Sequence, residues 1–137
     1  MFTNPPPDRI RSLLQEVKTI AVVGLSPRPD RPSYRVARAM QGFGYRIVPV
    51  RPAVSEVLGE KAYACLSDLP FVPDLVDVFR ASHEVGPIVD ECIALGVKRI
   101  WLQDGVIDEA AAARAQAAGM TVVMDRCVWR DCLDFIP

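Results

Sequence analysis

The chain has 137 residues, half of them apolar, and a formal net charge of −1 from 16 basic and 17 acidic side chains. This length and composition predict one folded domain over residues 1–137 and exclude an intrinsically disordered chain. The balanced charge gives no electrostatic case for binding nucleic acid or an anionic membrane. No apolar run approaches the roughly 20 residues that span a bilayer.

The amino terminus lacks the basic-then-apolar layout of a signal peptide, so we expect a cytoplasmic protein. The four cysteines form no C-x-x-C pair, and one histidine cannot complete a Cys/His zinc set. We therefore expect free thiols and no metal site.

Residues 1–7 are a proline-rich lead that we expect to be loose. Five short apolar runs predict strands, in chain order: Thr19–Val23, Tyr45–Val50, Leu75–Phe79, Arg99–Leu102 and Thr121–Met124. Helical patterns surround them: Asp8–Glu16, Pro32–Gln41, a helix from Ser82 or Gly86 to Leu95, Asp108–Ala118, and a final helical or irregular piece at Trp129–Phe135.

Strands that alternate with helices require crossover connections, and crossovers make a parallel sheet. The predicted fold is α/β: a Rossmann-like, doubly wound, three-layer domain with a five-stranded, mainly parallel sheet in the order 3-2-1-4-5. Its ligand crevice is expected at the carboxyl ends of strands one and four. Between strands two and three, Ser55–Gly59 is predicted as a helical turn and Ala62–Tyr63 as a short bridge.

The loop after the first strand predicts a phosphate site. It breaks at Gly24 and leads through Pro and Arg into a helix, a layout that presents backbone N–H groups and a positive helix end to an anion. Arg28 and Arg31 add charge there, and Ser26 and Ser33 add hydroxyl donors. The G-x-G-x-x-G fingerprint of dinucleotide-binding proteins is absent.

Arginines also follow the second and third strands. An NAD site would place Asp or Glu at the end of the second strand, where this chain has Arg51. A guanidinium there favours a ribose that bears a phosphate, as in NADP or coenzyme A. Two structural alternatives remain: Arg51 pairing with Glu56, and Arg80 pairing with a carboxylate such as Asp77 or Glu84.

Several sequence blocks occur in an order that resembles the small stand-alone CoA-binding domain proteins, which are similar to the amino-terminal domain of the succinyl-CoA synthetase α subunit. The blocks are Val22-Val23-Gly24-Leu25-Ser26, Arg31-Pro32-Ser33-Tyr34, Gly44-Tyr45-Arg46-Ile47-Val48-Pro49-Val50, Leu58-Gly59-Glu60, Val78-Phe79-Arg80, Trp101-Leu102-Gln103 and Met124-Asp125-Arg126-Cys127. One departure stands out: the family usually carries Asn where this chain has Arg51, and an arginine there could either strengthen the phosphate contact or obstruct the adenine.

The resemblance implies a cofactor site for coenzyme A. Gly24, Leu25, Ser26 and the segment that contains Arg28, Arg31, Ser33 and Tyr34 would hold the pyrophosphate. Val50, Arg51 and Pro52 would flank the adenosine and its 3′-phosphate, Phe79 and Arg80 would line the same cleft, and Gln103 would face the pantetheine.

The resulting hypothesis is a protein that binds CoA or an acyl-CoA without catalysis of its own, with an acyl-CoA enzyme as a candidate partner. The phosphohistidine chemistry of the ligase needs a further domain, so succinyl-CoA synthesis is not implied. Two alternatives stay open: an NADP-dependent oxidoreductase, and a redox protein that uses Cys127, whose neighbour Arg126 would favour a reactive thiol if the two side chains face each other.

Overall fold

The computed structural model describes residues 1–136. Its strands are β1 (Thr19–Val23), β2 (Arg46–Val50), β3 (Glu56–Val57), β4 (Glu60–Lys61), β5 (Leu75–Val78), β6 (Arg99–Leu102) and β7 (Thr121–Met124). Its α-helices are α1 (Pro7–Glu16), α2 (Pro32–Gly42), α3 (Val85–Leu95), α4 (Glu109–Ala117) and α5 (Val128–Phe135). Short 3-10 turns span Leu66–Asp68 and Ser82–Glu84.

The predicted α/β architecture is confirmed: five parallel strands lie between two layers of helices. Successive side chains of a strand point to opposite faces. On β1, Ile20 and Val22 therefore pack with α1, α2 and α5. Ala21 and Val23 pack with α3 and α4 on the other face. Both faces are covered, which is why the strands are continuous apolar runs rather than alternating ones.

The sheet order is β2-β1-β5-β6-β7. In terms of the five predicted strands this is 2-1-3-4-5, so the predicted order 3-2-1-4-5 is wrong. Pro49 supplies the physical reason. Its carbonyl accepts a hydrogen bond from the Tyr63 amide at 3.0 Å on the outer side of β2, so its nitrogen, which lacks a proton, faces outward too. Proline confines β2 to an edge, and β5 pairs with the other side of β1.

This order also moves the point where the winding reverses. The chain passes from β1 to β2 on one side and then crosses to β5 on the other. A ligand crevice in an open α/β sheet lies at that reversal, outside the carboxyl ends of the strands. The crevice is therefore expected at the ends of β1 and β5, not at strands one and four as the sequence suggested.

A small hairpin replaces the helical turn predicted at Ser55–Gly59, so that prediction is wrong. β3 and β4 pair antiparallel around Leu58 and Gly59, whose φ angles are 55° and 77°. Two central residues with positive φ make a two-residue hairpin turn whose twist matches the flanking strands. The hairpin precedes Tyr63, whose predicted bridge is confirmed as a parallel pairing with Val50.

Helix starts were predicted with mixed success. Asp108 caps α4 as expected, because its carboxylate accepts the Ala111 amide at 2.9 Å. Asp8 does not cap α1, which begins one residue earlier behind Pro6. The amino-terminal lead, expected to be loose, is tied to the sheet: the Asn4 amide exchanges two hydrogen bonds with the backbone of Met124, at 2.8 and 2.9 Å.

Within residues 1–136 no helix combines the length and the apolar character needed to cross a bilayer. The same residues hold no group of three or more His, Cys, Asp or Glu side chains arranged for a metal ion. All four cysteines are free thiols, as predicted.

One carboxylic acid lies inside the sheet. Asp77 of β5 is 1 % exposed, opposite Val22 and Trp101 of the neighbouring strands, and its Oδ1 has no hydrogen-bond partner within residues 1–136. Burial disfavours the charged form and raises the pKa of Asp77 well above its ordinary value of 3.8. The native protein therefore retains a proton that the unfolded chain loses.

Replacement Asp77→Asn is expected to remove a pH-dependent loss of stability. As pH rises above about 4, the unfolded wild type releases the Asp77 proton while the folded protein keeps it, so stability falls with pH. One such group contributes up to about 1.4 kcal/mol per pH unit. Urea unfolding between pH 4 and 8 should show the variant gaining on the wild type as pH rises. Parallel curves for the two proteins would contradict this account.

Candidate functional site

A crevice of about 820 Å³ opens at the carboxyl ends of β1 and β5, where the sheet order places it. We call it the arginine crevice. Nine of the thirteen residues predicted for the site line it: Gly24, Ser26, Arg28, Arg31, Ser33, Arg51, Phe79, Arg80 and Gln103. Its volume lies within the range of ordinary small-molecule sites, about 300–1,000 Å³.

The loop between β1 and α2 is held by the two predicted serines. Ser33 Oγ accepts the Ser26 amide at 3.0 Å, and Ser26 Oγ accepts the Arg28 amide at 3.1 Å. A hydroxyl both accepts and donates, so each serine fixes the loop with its oxygen and keeps its proton for another acceptor. Both serines are buried, at 6 % exposure, yet both face the crevice.

The amino terminus of α2 points into the same space. Arg31 precedes the helix without capping it through its side chain, Pro32 is the first helical residue, and the first turn carries no acidic residue. The first N–H groups of a helix generally lack internal partners and carry the positive end of its dipole. In α2, Pro32 has no N–H and the Tyr34 amide donates to the Arg31 carbonyl at 3.1 Å, so the Ser33 amide is the one left for a ligand among residues 1–136. Together with the two hydroxyl protons it makes this end of the crevice suitable for a phosphate.

Gly24 lets the tips of β1 and β5 come together. Its φ is +87°, and a Cβ there would lie 2.4 Å from the Phe79 carbonyl oxygen and 2.8 Å from Arg80 Cδ. Neither the conformation nor the space admits a larger residue without movement of β5. The glycine is therefore a requirement of the crevice wall, whatever the crevice binds.

The arginines at the β1 and β2 end carry uncompensated charge. Within residues 1–136, Arg31 and Arg51 form no ion pair, and Arg51 Nη1 donates to the Gly24 carbonyl at 3.4 Å. Pairing of Arg51 with Glu56, one of the alternatives, is thus not observed. Arg28 approaches Asp30 only loosely, at 3.5 Å between exposed side chains.

Arg80 has a carboxylate partner, as the second alternative anticipated. Its Nη2 donates to Glu84 Oε1 at 2.8 Å, and this hydrogen bond lowers the pKa of Glu84. Both side chains are about one third exposed, so the pair contributes little to stability. Its consequence is positional: the guanidinium is held at the edge of the crevice.

The opposite wall lies at the ends of β6 and β7 and includes Asp104, and the charges on it and behind it are paired. Arg130 donates to both oxygens of Asp104, at 2.8 and 3.0 Å, and this contact lowers the pKa of Asp104. Arg126 donates to both oxygens of the buried Asp131, at 2.7 and 2.9 Å. Positive charge free to meet an anion is therefore concentrated at the β1 and β2 end.

Gln103 and Cys127 on this wall also face the crevice, and they form no hydrogen bond with each other. Gln103 is 4 % exposed, and its Oε1 accepts the Val128 amide at the start of α5, at 3.1 Å. Its Nε2 donates to no group within residues 1–136. Cys127, the residue before α5, also lines the crevice and is a half-buried free thiol.

Four predicted residues lie away from the arginine crevice. Leu25 is fully buried and Tyr34 packs against the core on the α1, α2 and α5 side of the sheet. Val50 and Pro52 line a smaller cavity of about 320 Å³ next to it. Arg80 lines both spaces, so they adjoin across this side chain.

Three apolar residues of the wall, Val36, Ala81 and Val106, were not predicted from the sequence. Val36 lies on the buried face of α2 and is 7 % exposed. A residue one turn into a helix can serve the core and a crevice at once. Ala81 and Val106 carry no signal that separates them from ordinary loop residues.

Comparison with known proteins points in one direction. The sequence profile of the CoA binding domain family matches residues 18–132. The uncharacterized protein YneT of Bacillus subtilis is 42 % identical over 125 residues, which cover 91 % of this chain and 93 % of YneT. A hypothetical protein from Pyrococcus horikoshii superposes with a TM-score of 0.93 and 32 % identity, over 100 % of this chain and 99 % of that one.

A more distant relative is part of an enzyme. The α subunit of the ADP-forming acetate–CoA ligase II of Pyrococcus furiosus is 28 % identical over 120 residues. The match covers 80 % of this chain but 26 % of that subunit, so the chain corresponds to about a quarter of the subunit.

Proposed function

The chain belongs to the CoA binding domain family, and we propose that it binds coenzyme A or an acyl-CoA in the arginine crevice. The observation that carries this is the coincidence, in one space, of the α2 start with its free Ser33 amide, two serine hydroxyls and two guanidiniums that form no ion pair within residues 1–136, all on the side of β1 and β2. Such a set suits the several phosphates of CoA.

The distribution of charge orients the ligand. The phosphates would lie between the α2 start and Arg51, where positive charge is uncompensated. The uncharged pantetheine arm would run toward Gln103 on the opposite wall. The adenosine would lie beside Val50 and Pro52 in the smaller cavity, and Arg80, which lines both spaces, would contact the ligand between them.

We infer a binding role rather than an autonomous reaction. The chain corresponds to a fraction of the ligase subunit that it resembles, and that enzyme's name assigns a reaction to the whole protein. Supply of CoA to a separate acyl-CoA enzyme is the role we propose, in the same compartment in which the chain is made.

Arg51→Ala is expected to weaken CoA binding about tenfold to 150-fold while leaving dephospho-CoA binding within about twofold of the wild type. A hydrogen bond to a charged group is worth about 1.5–3 kcal/mol, and dephospho-CoA lacks the 3′-phosphate that Arg51 would hold. Calorimetry with CoA, dephospho-CoA and NADPH measures all three affinities. Arg38→Ala removes an exposed charge of α2 outside the crevice and should leave CoA binding unchanged.

The outcomes separate two statements. Equal affinity of the wild type for CoA and dephospho-CoA would remove the role of Arg51 but keep CoA as the ligand. Tighter binding of NADPH than of CoA, or no binding of any CoA species, would overturn the proposed function itself.

A further inference from the structure

Cys127 lies on the wall of the arginine crevice at the ends of β6 and β7, opposite Arg31 and Arg51. Its backbone precedes α5, whose first amide is bound by Gln103 Oε1. This bond fixes which end of the Gln103 side chain is oxygen, and it leaves the Nε2 donors for the crevice. Gln103 is 96 % buried and keeps an unused amide donor, and the free thiol of Cys127 lines the same end of the crevice. This end therefore suits a ligand that carries an uncharged hydrogen-bond acceptor close to a sulfur atom.

The pantetheine arm of CoA has that chemistry. It carries two amide carbonyls, which accept hydrogen bonds, and it ends in a thiol. If the phosphates occupy the α2 end, the arm extends along the crevice toward Gln103 and Cys127, because both line the same space as the phosphate loop. The two sulfurs would then meet at the opposite wall.

We propose that Cys127 forms a mixed disulfide with CoA in this crevice. This inference rests on the proposed function. The Cys127 thiol releases its proton to solvent, and the thiolate attacks one sulfur of a CoA disulfide. The Cys127–CoA bond forms as the bond between the two CoA sulfurs breaks, and the second CoA leaves as a thiolate that takes up a proton. One disulfide replaces another, so no further oxidant is required.

The other cysteines provide internal comparisons. Cys92 and Cys132 are fully buried, and burial raises the pKa of Cys92 to about 12 and that of Cys132 to about 11. Both are expected to be inert, since the thiolate is the attacking species. Cys65 is half-buried like Cys127 but lines the smaller cavity, away from Gln103. In the proposed pose Cys65 lies at the adenosine end of CoA, so it should stay unmodified although it is as accessible as Cys127.

The test incubates the reduced full chain with CoA disulfide or, separately, with glutathione disulfide, and follows intact mass with peptide mapping. The wild type should gain one CoA, which peptide mapping locates at Cys127 with Cys65 unmodified, and which dithiothreitol removes. Cys127→Ser should gain none. Reaction with CoA disulfide should be at least about tenfold faster than with glutathione disulfide, because the bound nucleotide holds the sulfur close to the thiol.

Calorimetry with CoA on the wild type and on Cys127→Ser separates the mixed disulfide at Cys127 from CoA binding itself. CoA binding without any adduct on the wild type would overturn the mixed disulfide and leave the proposed function standing. Absence of CoA binding by wild type and variant would overturn both. An adduct at Cys65, or equal rates with the two disulfides, would show unspecific thiol oxidation and overturn the inference.

Discussion

Gly24→Ala is expected to destabilise the fold by about 3 kcal/mol and to weaken CoA binding at least about tenfold. A positive φ costs a residue with a side chain roughly 1–2 kcal/mol, and overpacking against fixed backbone costs roughly 1–3 kcal/mol. The added Cβ meets the Phe79 carbonyl oxygen at 2.4 Å, so the tip of β5 must move. Phe79 and Arg80 then leave the crevice wall. Urea unfolding and calorimetry with CoA measure the two effects.

Gly119→Ala is the matched control. Gly119 has nearly the same φ, +90°, but a Cβ there would have no atom within 4 Å. Gly119 follows α4 and does not line the crevice. Gly119→Ala should therefore lose only the free energy that a positive φ costs, roughly 1–2 kcal/mol, and its CoA affinity should be unchanged. Equal destabilisation of the two variants would contradict the role of close packing at Gly24. Wild-type affinity in Gly24→Ala would remove the β5 tip from the proposed site.

The sequence predicted the layers and the strands well, because a strand that is buried on both faces has a short run of apolar residues in its sequence. It failed on sheet order, since apolar runs identify strands without saying which are neighbours. The usable signal was Pro49: a proline inside a strand reports an edge. The hairpin at Leu58 and Gly59 was missed because its strands are two residues long, too short for any periodicity to separate a hairpin from a helical turn.

The lining of the arginine crevice could be predicted to the extent that it depends on backbone direction. Parallel strands end at one edge, so the residues after Val23 and Val78 had to converge. Side-chain direction is a different matter: Leu25 and Tyr34 lie within the predicted binding segments, yet both turn toward the core. Pairing is also hidden from the sequence. The sequence offered both an Arg80–Glu84 pair and an Arg51–Glu56 pair, and it did not show that the first would form while the second would not.

The second large effect is expected at the opposite wall, where Arg126→Ala should destabilise the protein by about 3–5 kcal/mol. Asp131 is 1 % exposed, and Arg126 meets both of its oxygens. Removal of the guanidinium leaves a buried carboxylate without its cation, which is the costly way to break an ion pair. The unfolding free energy from urea titration at pH 7 measures this loss.

Arg130→Ala is the control, because Arg130 makes an equally bidentate contact, but with an exposed partner. Asp104 is 54 % exposed, and such surface pairs contribute less than about 1 kcal/mol. Geometry is matched and burial differs, so the comparison isolates desolvation. The double variant Arg126→Ala/Asp131→Asn should recover part of the lost stability, since it removes the uncompensated charge as well. Equal losses from the two single variants would show that burial of Asp131 is not the cause.

The Arg126–Asp131 pair also bears on the crevice. Asp131 lies in the first turn of α5, and Cys127 lies between Arg126 and the first residue of that helix. Trp101 Nε1 donates to the Arg126 carbonyl at 2.7 Å. Both the backbone and the side chain of Arg126, the residue before Cys127, are therefore held in place. A folded Arg126→Lys variant keeps the charge but not the two-pronged contact. It should therefore form the Cys127–CoA disulfide more slowly than the wild type, because the thiol is then held less firmly beside Gln103.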